Sequence, residues 1–255
     1  MNAEMNSIVT PCIISLTEKN LWFITAGESS SANIVINGST QVKLRTGQAG
    51  ILALDETTLE VKQGPLFYIK ADFVALVKLQ AFIDYAKLRG EGLQGQHKDV
   101  IGENDHCFIP LYTNEPMSQK RFEYWLINQN VTKSLAVTPL IKMLRENEYY
   151  WIVNYLLEQS SSSESLEELG NKYGLSVSHF RRLTKVALGN ATKVELCNWR
   201  LVRAILDLMG GRDSITDVAL KHGYCSLSHF SNEVKNTFGL PPRELKNKIY
   251  EDVEK

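Results

Sequence analysis

Four side chains, Ser178, Arg181, Arg182 and Lys185, recur at i, i+3, i+4 and i+7, the spacing that stacks residues on one face of an α-helix. Two guanidiniums, an ammonium and a hydroxyl on one face form a surface for anions and polar base edges. Arg can bond guanine O6 and N7 together, while Lys and Ser meet phosphates. The same segment carries Phe180, Leu183, Thr184 and Ala187 at matching spacing, a stripe suited to a core. Fifty residues on, Ser228, Ser231, Asn232 and Lys235 repeat the polar stripe over Phe230, Val234 and Phe238. Asn can read adenine with two hydrogen bonds, but Ser and the neighbouring Leu227 discriminate less. The first helix holds three positive charges against one, so it is expected to supply more of the affinity.

Both stripes belong to an internal repeat. Leu166–Phe180 reads LEELGNKYGLSVSHF and Ile215–Phe230 reads ITDVALKHGYCSLSHF, the second being one residue longer after its glycine. In the first copy Leu166, Leu169, Gly170 and Tyr173 form one face of a short helix. Gly174 follows as a turn glycine, free to adopt a left-handed conformation, and Ser176 can cap the next helix. In the second copy Ile215, Val218, Ala219 and His222 form the face, Ser214 is the candidate cap and Gly223 the turn. Between the copies Val194, Cys197, Leu201, Ala204, Ile205 and Leu208 make one apolar stripe, stopped by Gly210-Gly211. A single stiff helix there would fix the separation of two helix-turn-helix units, suiting major-groove segments about 34 Å apart on one face of a duplex.

Charge agrees. From Lys172 to Lys248 there are thirteen Lys/Arg against six Asp/Glu, net +7, in a chain of 255 residues whose formal net charge is −1. A basic segment within a near-neutral chain is the footprint expected of nucleic-acid binding. With 44% hydrophobic and 22% charged residues, the composition is that of a globular protein. Cys12, Cys107, Cys197 and Cys225 form no CxxC pair, which indicates neither a disulfide framework nor a zinc knuckle. No apolar run reaches membrane-helix length and the N-terminus lacks a signal-peptide pattern, so a cytoplasmic location with no membrane partner is expected.

Enzyme chemistry is not expected. No G-x-G-x-x-G, P-loop, G-x-S-x-G or zinc signature occurs, and no cofactor is implied. Asp105, His106 and Cys107 are too close in sequence to surround one metal ion without a second ligand cluster. His179 and His229 precede the buried Phe of each repeat, a structural or phosphate-facing position. Asp217 and His222 form no acid–base pair with a nucleophile.

Upstream, residues 20–70 read as β. Short apolar clusters at Leu21–Ile24, Ile34–Ile36, Val42–Leu44, Ile51–Leu54 and Leu66–Ile69 are separated by turn signals such as Asn37-Gly38 and Gly64-Pro65. Asp72 then caps a helix carrying Phe73, Leu76, Val77, Ile83 and Leu88, which Gly90 ends. That helix has the pattern of a cover on a ligand cavity, of a dimer interface or of a docking face. Residues 90–105 read as a loop. Helical runs at about 118–130 and 138–158 precede the run Ser160–Ser163, read as a solvated loop.

Residues about 148–250 resemble the AraC/XylS-type bacterial transcription regulators, whose DNA-binding domain is two helix-turn-helix units joined by a linker helix. The resemblance rests on Leu166, Leu169, Gly174, Ser176, Phe180, Arg200, Ala204, Ile215, Val218, Ala219, Gly223, Ser228, Phe230, Phe238, Gly239, Pro242 and Arg243. Arg121–Trp125, Tyr150–Leu157, Ser178–Leu183 and Asn198–Arg200 look like the InvF/YsaE branch, activators of type III secretion genes in enteric bacteria. That branch implies a cytosolic secretion chaperone as co-activator, along with promoter DNA and RNA polymerase as partners. The chain departs from the family at Asn232 and Val234, where many members carry Arg and Phe. By position, the base-facing residues are Ser178, Arg181 and Arg182 in the first unit and Leu227, Ser228, Ser231 and Asn232 in the second. Lys185, Lys193, Lys235 and Arg243 are the phosphate contacts.

The expected class is therefore α+β. A β-rich, small-barrel-like regulatory or partner-binding domain with helices (1–135) precedes an all-α DNA-binding domain (136–255). The latter contains units at about 163–186 and 213–236. Two gating schemes stay open: a protein chaperone, or a small molecule in the N-terminal half, as in sugar-responsive relatives. A DNA-silent adaptor is disfavoured by the basic stripe. A homodimer is compatible with two reading units on one chain and is not required by them.

Overall fold

The computed structural model describes residues 5–9, 11–91, 106–112, 115–160, 164–210 and 213–253. Contacts divide the chain into two units, Met1–Trp151 and Ile152–Lys255. The division falls inside α4 (Glu148–Gln159), later than the 135/136 boundary expected from sequence, because α3 (Thr138–Arg145) packs on α1 (Phe73–Glu91) of the first unit.

The first unit begins with two antiparallel sheets. One runs β1 (Asn6–Ile8), β8 (Leu66–Lys70), β3 (Asn20–Ala26), β6 (Ala49–Leu54), β9 (His106–Leu111); the other β2 (Cys12–Ser15), β7 (Thr58–Gln63), β4 (Ala32–Ile36), β5 (Thr40–Leu44). The expected clusters all fall in strands, and Asn37-Gly38 turns β4 into β5 with both φ positive, the demand of a tight hairpin. β1, β2 and β9 lie outside the 20–70 stretch. β7 alternates Leu59 and Val61 with Glu60 and Lys62, so it shows no apolar cluster. Trp22, Ile24, Ile34, Ile36, Leu44, Leu52, Leu54, Leu59, Val61 and Leu66 form one buried cluster. Leu21, Phe23, Ile51 and Ala53, on the other face of β3 and β6, are equally buried, which is why those strands read as unbroken apolar runs.

Asp72 caps α1, its Oδ1 accepting from Ala75 N–H at 3.0 Å. The helix runs through Gly90 to Glu91 rather than stopping at Gly90, and Leu88 is exposed. Nearly all of the expected 90–105 loop lies outside the described residues. α2 spans Gln119–Val131. The helical run expected over 138–158 is two helices, because Asn147 accepts from Tyr149 N–H at 2.9 Å and caps α4. Polar side chains of α1 to α4 meet in the interior. Asp84 takes two hydrogen bonds from Arg145 (2.8 and 2.9 Å) and one from Tyr150 Oη (2.9 Å), while Gln80 pairs with Asn130. Burial raises the Asp84 pKa, but the Arg145 guanidinium and the Tyr150 hydroxyl outweigh it and hold the carboxyl below its ordinary range.

In the second unit α5 (Leu166–Tyr173), α6 (Val177–Leu188), α7 (Thr192–Met209), α8 (Ile215–Lys221), α9 (Leu227–Phe238) and α10 (Pro242–Val253) follow α4. Leu201, Ala204, Ile205 and Leu208 of α7 join Val218, Ala219, Tyr224, Phe230 and Val234 in one core. Two expectations fail. Val194 is exposed and Cys197 half-buried, because the first turn of α7 is fixed to α6 through Thr192 instead. Phe238, the last residue of α9, lies beyond the cluster over Phe230 and Val234 and stays 43% exposed.

Candidate nucleic-acid interface

Each repeat folds as helix, turn, helix with one hydrogen-bonding scheme. In the first, Gly174 N–H reaches Asn171 O and Leu175 N–H reaches Gly170 O; in the second, Gly223 N–H reaches Leu220 O and Tyr224 N–H reaches Ala219 O, all at 3.0–3.1 Å. Both glycines are left-handed, φ +83° and +74°, a conformation costly for a residue with Cβ. The next helix is capped by Ser176 or Ser226, whose Oγ accepts from the backbone N–H of His179 (3.4 Å) or His229 (3.1 Å). The extra residue of the second copy is Cys225, which is exposed, while Tyr224 takes the place of Leu175 and is buried. Tyr224 packs on Phe230 at 4.9 Å; burial and then Glu233 raise its hydroxyl pKa.

One cap lies outside the apolar spacing of the repeat. Ser165 and Glu168 form a reciprocal capping box on α5, with Glu168 N–H on Ser165 Oγ (3.2 Å) and Ser165 N–H on Glu168 Oε2 (2.7 Å). The Ser-x-x-Glu order before an apolar run was its signal.

α6 sets Phe180, Leu183, Thr184 and Ala187 in the core and leaves Ser178, Arg181, Arg182 and Lys185 exposed, within about 100° of arc at 100° per residue. α9 buries Phe230 and Val234 and exposes Leu227, Ser228, Asn232 and Lys235, with Ser231 half-buried. Lys193 and Arg243 are exposed in the first turns of α7 and α10. His179 and His229 are exposed beside the buried Phe180 and Phe230.

Part of the +7 is already engaged by partners within the chain. Lys172 pairs with Glu164, and Lys221 with Asp207 (2.8 Å) and Asp213 (3.5 Å). Arg203 donates to Leu157 O (3.1 Å) and to Ser160 Oγ. Arg181, Arg182 and Lys185 form no ion pair among the described residues. Of the cations left to an external anion, Arg181, Arg182 and Lys185 share α6, while Lys193, Lys235 and Arg243 are exposed on α7, α9 and α10.

Among the described residues no helix is long and apolar enough to cross a membrane, and no three His, Cys, Asp or Glu side chains gather as a metal site. His106 and Cys107 lie on β9, where burial pushes the Cys107 thiol up to about 11; Asp105 is outside the described residues.

Two helix-turn-helix units in tandem, joined by a helix and with one strongly cationic recognition helix, define a DNA-binding regulator. Residues 169–248 match the family model described as "Helix-turn-helix domain". The chain is 38% identical over 202 residues to the invasion protein InvF of Salmonella typhi, covering 79% of this chain and 91% of that one. It is 40% identical over 122 residues to the transcriptional regulator MxiE of Shigella flexneri, covering 47% and 55%. Among solved structures, an AraC-type DNA-binding regulator from Chromobacterium violaceum is 28% identical, covers 38% of this chain and 87% of its own, and superposes with a TM-score of 0.35. The chain belongs to the AraC/XylS-type family of transcriptional regulators, on the branch of InvF.

Proposed function

We propose that this regulator is a sequence-specific activator of type III secretion genes that reads two adjacent major-groove segments with α6 and α9. The observation that carries the reading is the α6 surface: Ser178, Arg181, Arg182 and Lys185 exposed on one arc above a fully buried stripe. On it, Ser178, Arg181 and Arg182 meet base edges, and Lys185 with Lys193 holds phosphates. In the second unit Leu227, Ser228, Ser231 and Asn232 face bases, and Lys235 and Arg243 face phosphates. The first unit sets affinity, because its helix carries the charge and phosphate neutralisation dominates affinity.

The N-terminal unit receives a protein co-activator, a cytosolic secretion chaperone, and RNA polymerase is engaged once the complex is on the promoter. Kinship with InvF supports this.

The test is promoter binding by the purified chain over a salt series, with and without a candidate secretion chaperone. Selective binding alone, with the chaperone needed only for transcription, places the chaperone at the activation step. Selective binding only with the chaperone makes the N-terminal unit a lock on the DNA-binding unit. Activation by a small metabolite with no chaperone present overturns the protein-gated reading, and no selective binding under any condition overturns the activator.

A further inference from the structure

Reading two groove segments at once requires the recognition helices to keep a fixed angle and separation, and α7 is the element between them. Its side chains divide into two faces. At 100° per residue, Leu201, Ala204, Ile205 and Leu208 centre about 170° around the helix from Thr192, and these four build the core shared with α8 and α9. Thr192 and Arg203 lie within about 20° of one another, three turns and roughly 16 Å apart along the axis. Both turn toward the first helix-turn-helix. Thr192 Oγ1 donates to Thr184 Oγ1 of α6 at 2.6 Å, and Thr184 Oγ1 in turn donates to Phe180 O at 2.8 Å. Arg203 reaches the C-terminal end of α4, bonding Leu157 O and the hydroxyl of the buried Ser160, which itself donates to Leu157 O at 2.7 Å. A cation there also satisfies carbonyls left unpaired at a helix end. α4 is the helix on which α5 rests, through Tyr155 Oη to Leu169 O at 3.0 Å.

We infer that Thr192 and Arg203 are positioning residues that fix the first unit on the linker helix and so set the half-site spacing that the protein accepts. One attachment would leave a pivot; two on one face, three turns apart, oppose both tilt and rotation about α7. The opposite face carries the second unit, so the same rod holds both recognition helices in one frame. Arg203 thus acts through α4 and touches no DNA, although in sequence it belongs to the basic segment. The inference rests on the two-groove reading above.

The experiment uses the full chain and an operator selected by it from a random duplex library. Binding is measured on that operator and on versions with one base pair added or removed between the half-sites, a rotation of about 34–36° in B-DNA. The wild type is expected to lose about tenfold or more on each altered spacing, since losing one good set of base contacts costs that much. Arg203→Met and Thr192→Val should bring the three affinities within about threefold of one another, with Arg203→Lys in between, because an ammonium cannot make the bidentate pair. Arg182→Ala should weaken all three alike and keep their ratio. Retention of the full spacing preference by both Arg203→Met and Thr192→Val overturns the inference. A wild type indifferent to spacing overturns the two-groove reading on which it depends.

Discussion

In the first helix-turn-helix α5 rests on α4 through rings: Tyr155, Tyr173 and Phe180 lie within 4.9–6.4 Å of one another, and Tyr155 Oη bonds Leu169 O. In the second, α8 is tied to α7 by charge: Asp207 accepts from Lys221 and contacts His222 Nε2 at 2.7 Å. The turns themselves keep one hydrogen-bond scheme. Where the first unit has Gly170, a Cβ would come within 3.2 Å of Phe180 Cβ; the second has Ala219, fully buried, at the matching position. The repeat therefore conserves the backbone and lets each copy choose its own adhesive. Both copies pair the matching lysine at the surface, Lys172 with Glu164 and Lys221 with Asp207, but only in the second does that pair tie the helix to α7.

The difference can be broken from the core outward. Phe180 and Phe230 are both fully buried, so Phe180→Ala and Phe230→Ala should each cost about 3–5 kcal/mol in denaturant unfolding. If only one is severe, the units do not share a common hub. Asymmetry should appear at the matched small residues. Gly170→Val, forced against Phe180, is expected to cost about 1–3 kcal/mol or more, whereas Ala219→Gly should cost only about 1 kcal/mol. Equal losses would show that the Phe180 contact is not limiting.

On DNA, Arg182→Ala should cost about 1–3 kcal/mol on the target promoter and relax base preference at one position, and Asn232→Ala should cost less. Equal loss on target and random DNA would assign Arg182 to phosphate.

The smallest effect is the tie to α7. Lys221, then His222, hold the Asp207 carboxyl below its ordinary range against the partial desolvation that opposes them. A depressed carboxyl pKa stabilises the fold above the unfolded value of about 3.9 and loses that stabilisation as pH falls through the lower folded value. Hydrogen-exchange protection of α8, corrected for intrinsic rates, should therefore fall with acid below about pH 4. Asp207→Asn should show weaker protection already at neutral pH and no acid step of its own. Protection of α8 that is indifferent to both changes would mean that the apolar core alone holds it.

Much of the second unit was legible in sequence because its signals are local. A glycine at the turn, a serine cap and a 3.6-residue stripe act within a few residues, so the helices, turns and exposed arc of α6 follow from neighbours in the chain. The strand clusters of residues 20–70 were legible for the same reason, and β7 escaped because its alternation buries only Leu59 and Val61. What sequence could not supply were the partners chosen across the fold. Asp84 with Arg145, Thr192 with Thr184 and Arg203 with Ser160 are separated by 61, 8 and 43 positions, and each looks like an ordinary surface residue until packing takes water from it. Residue type and spacing thus determined that two helix-turn-helix units exist and which faces they offer. Tertiary structure alone decided which charges are engaged by partners within the chain, since desolvation and partner distance, not local pattern, set whether a cation stays available to DNA.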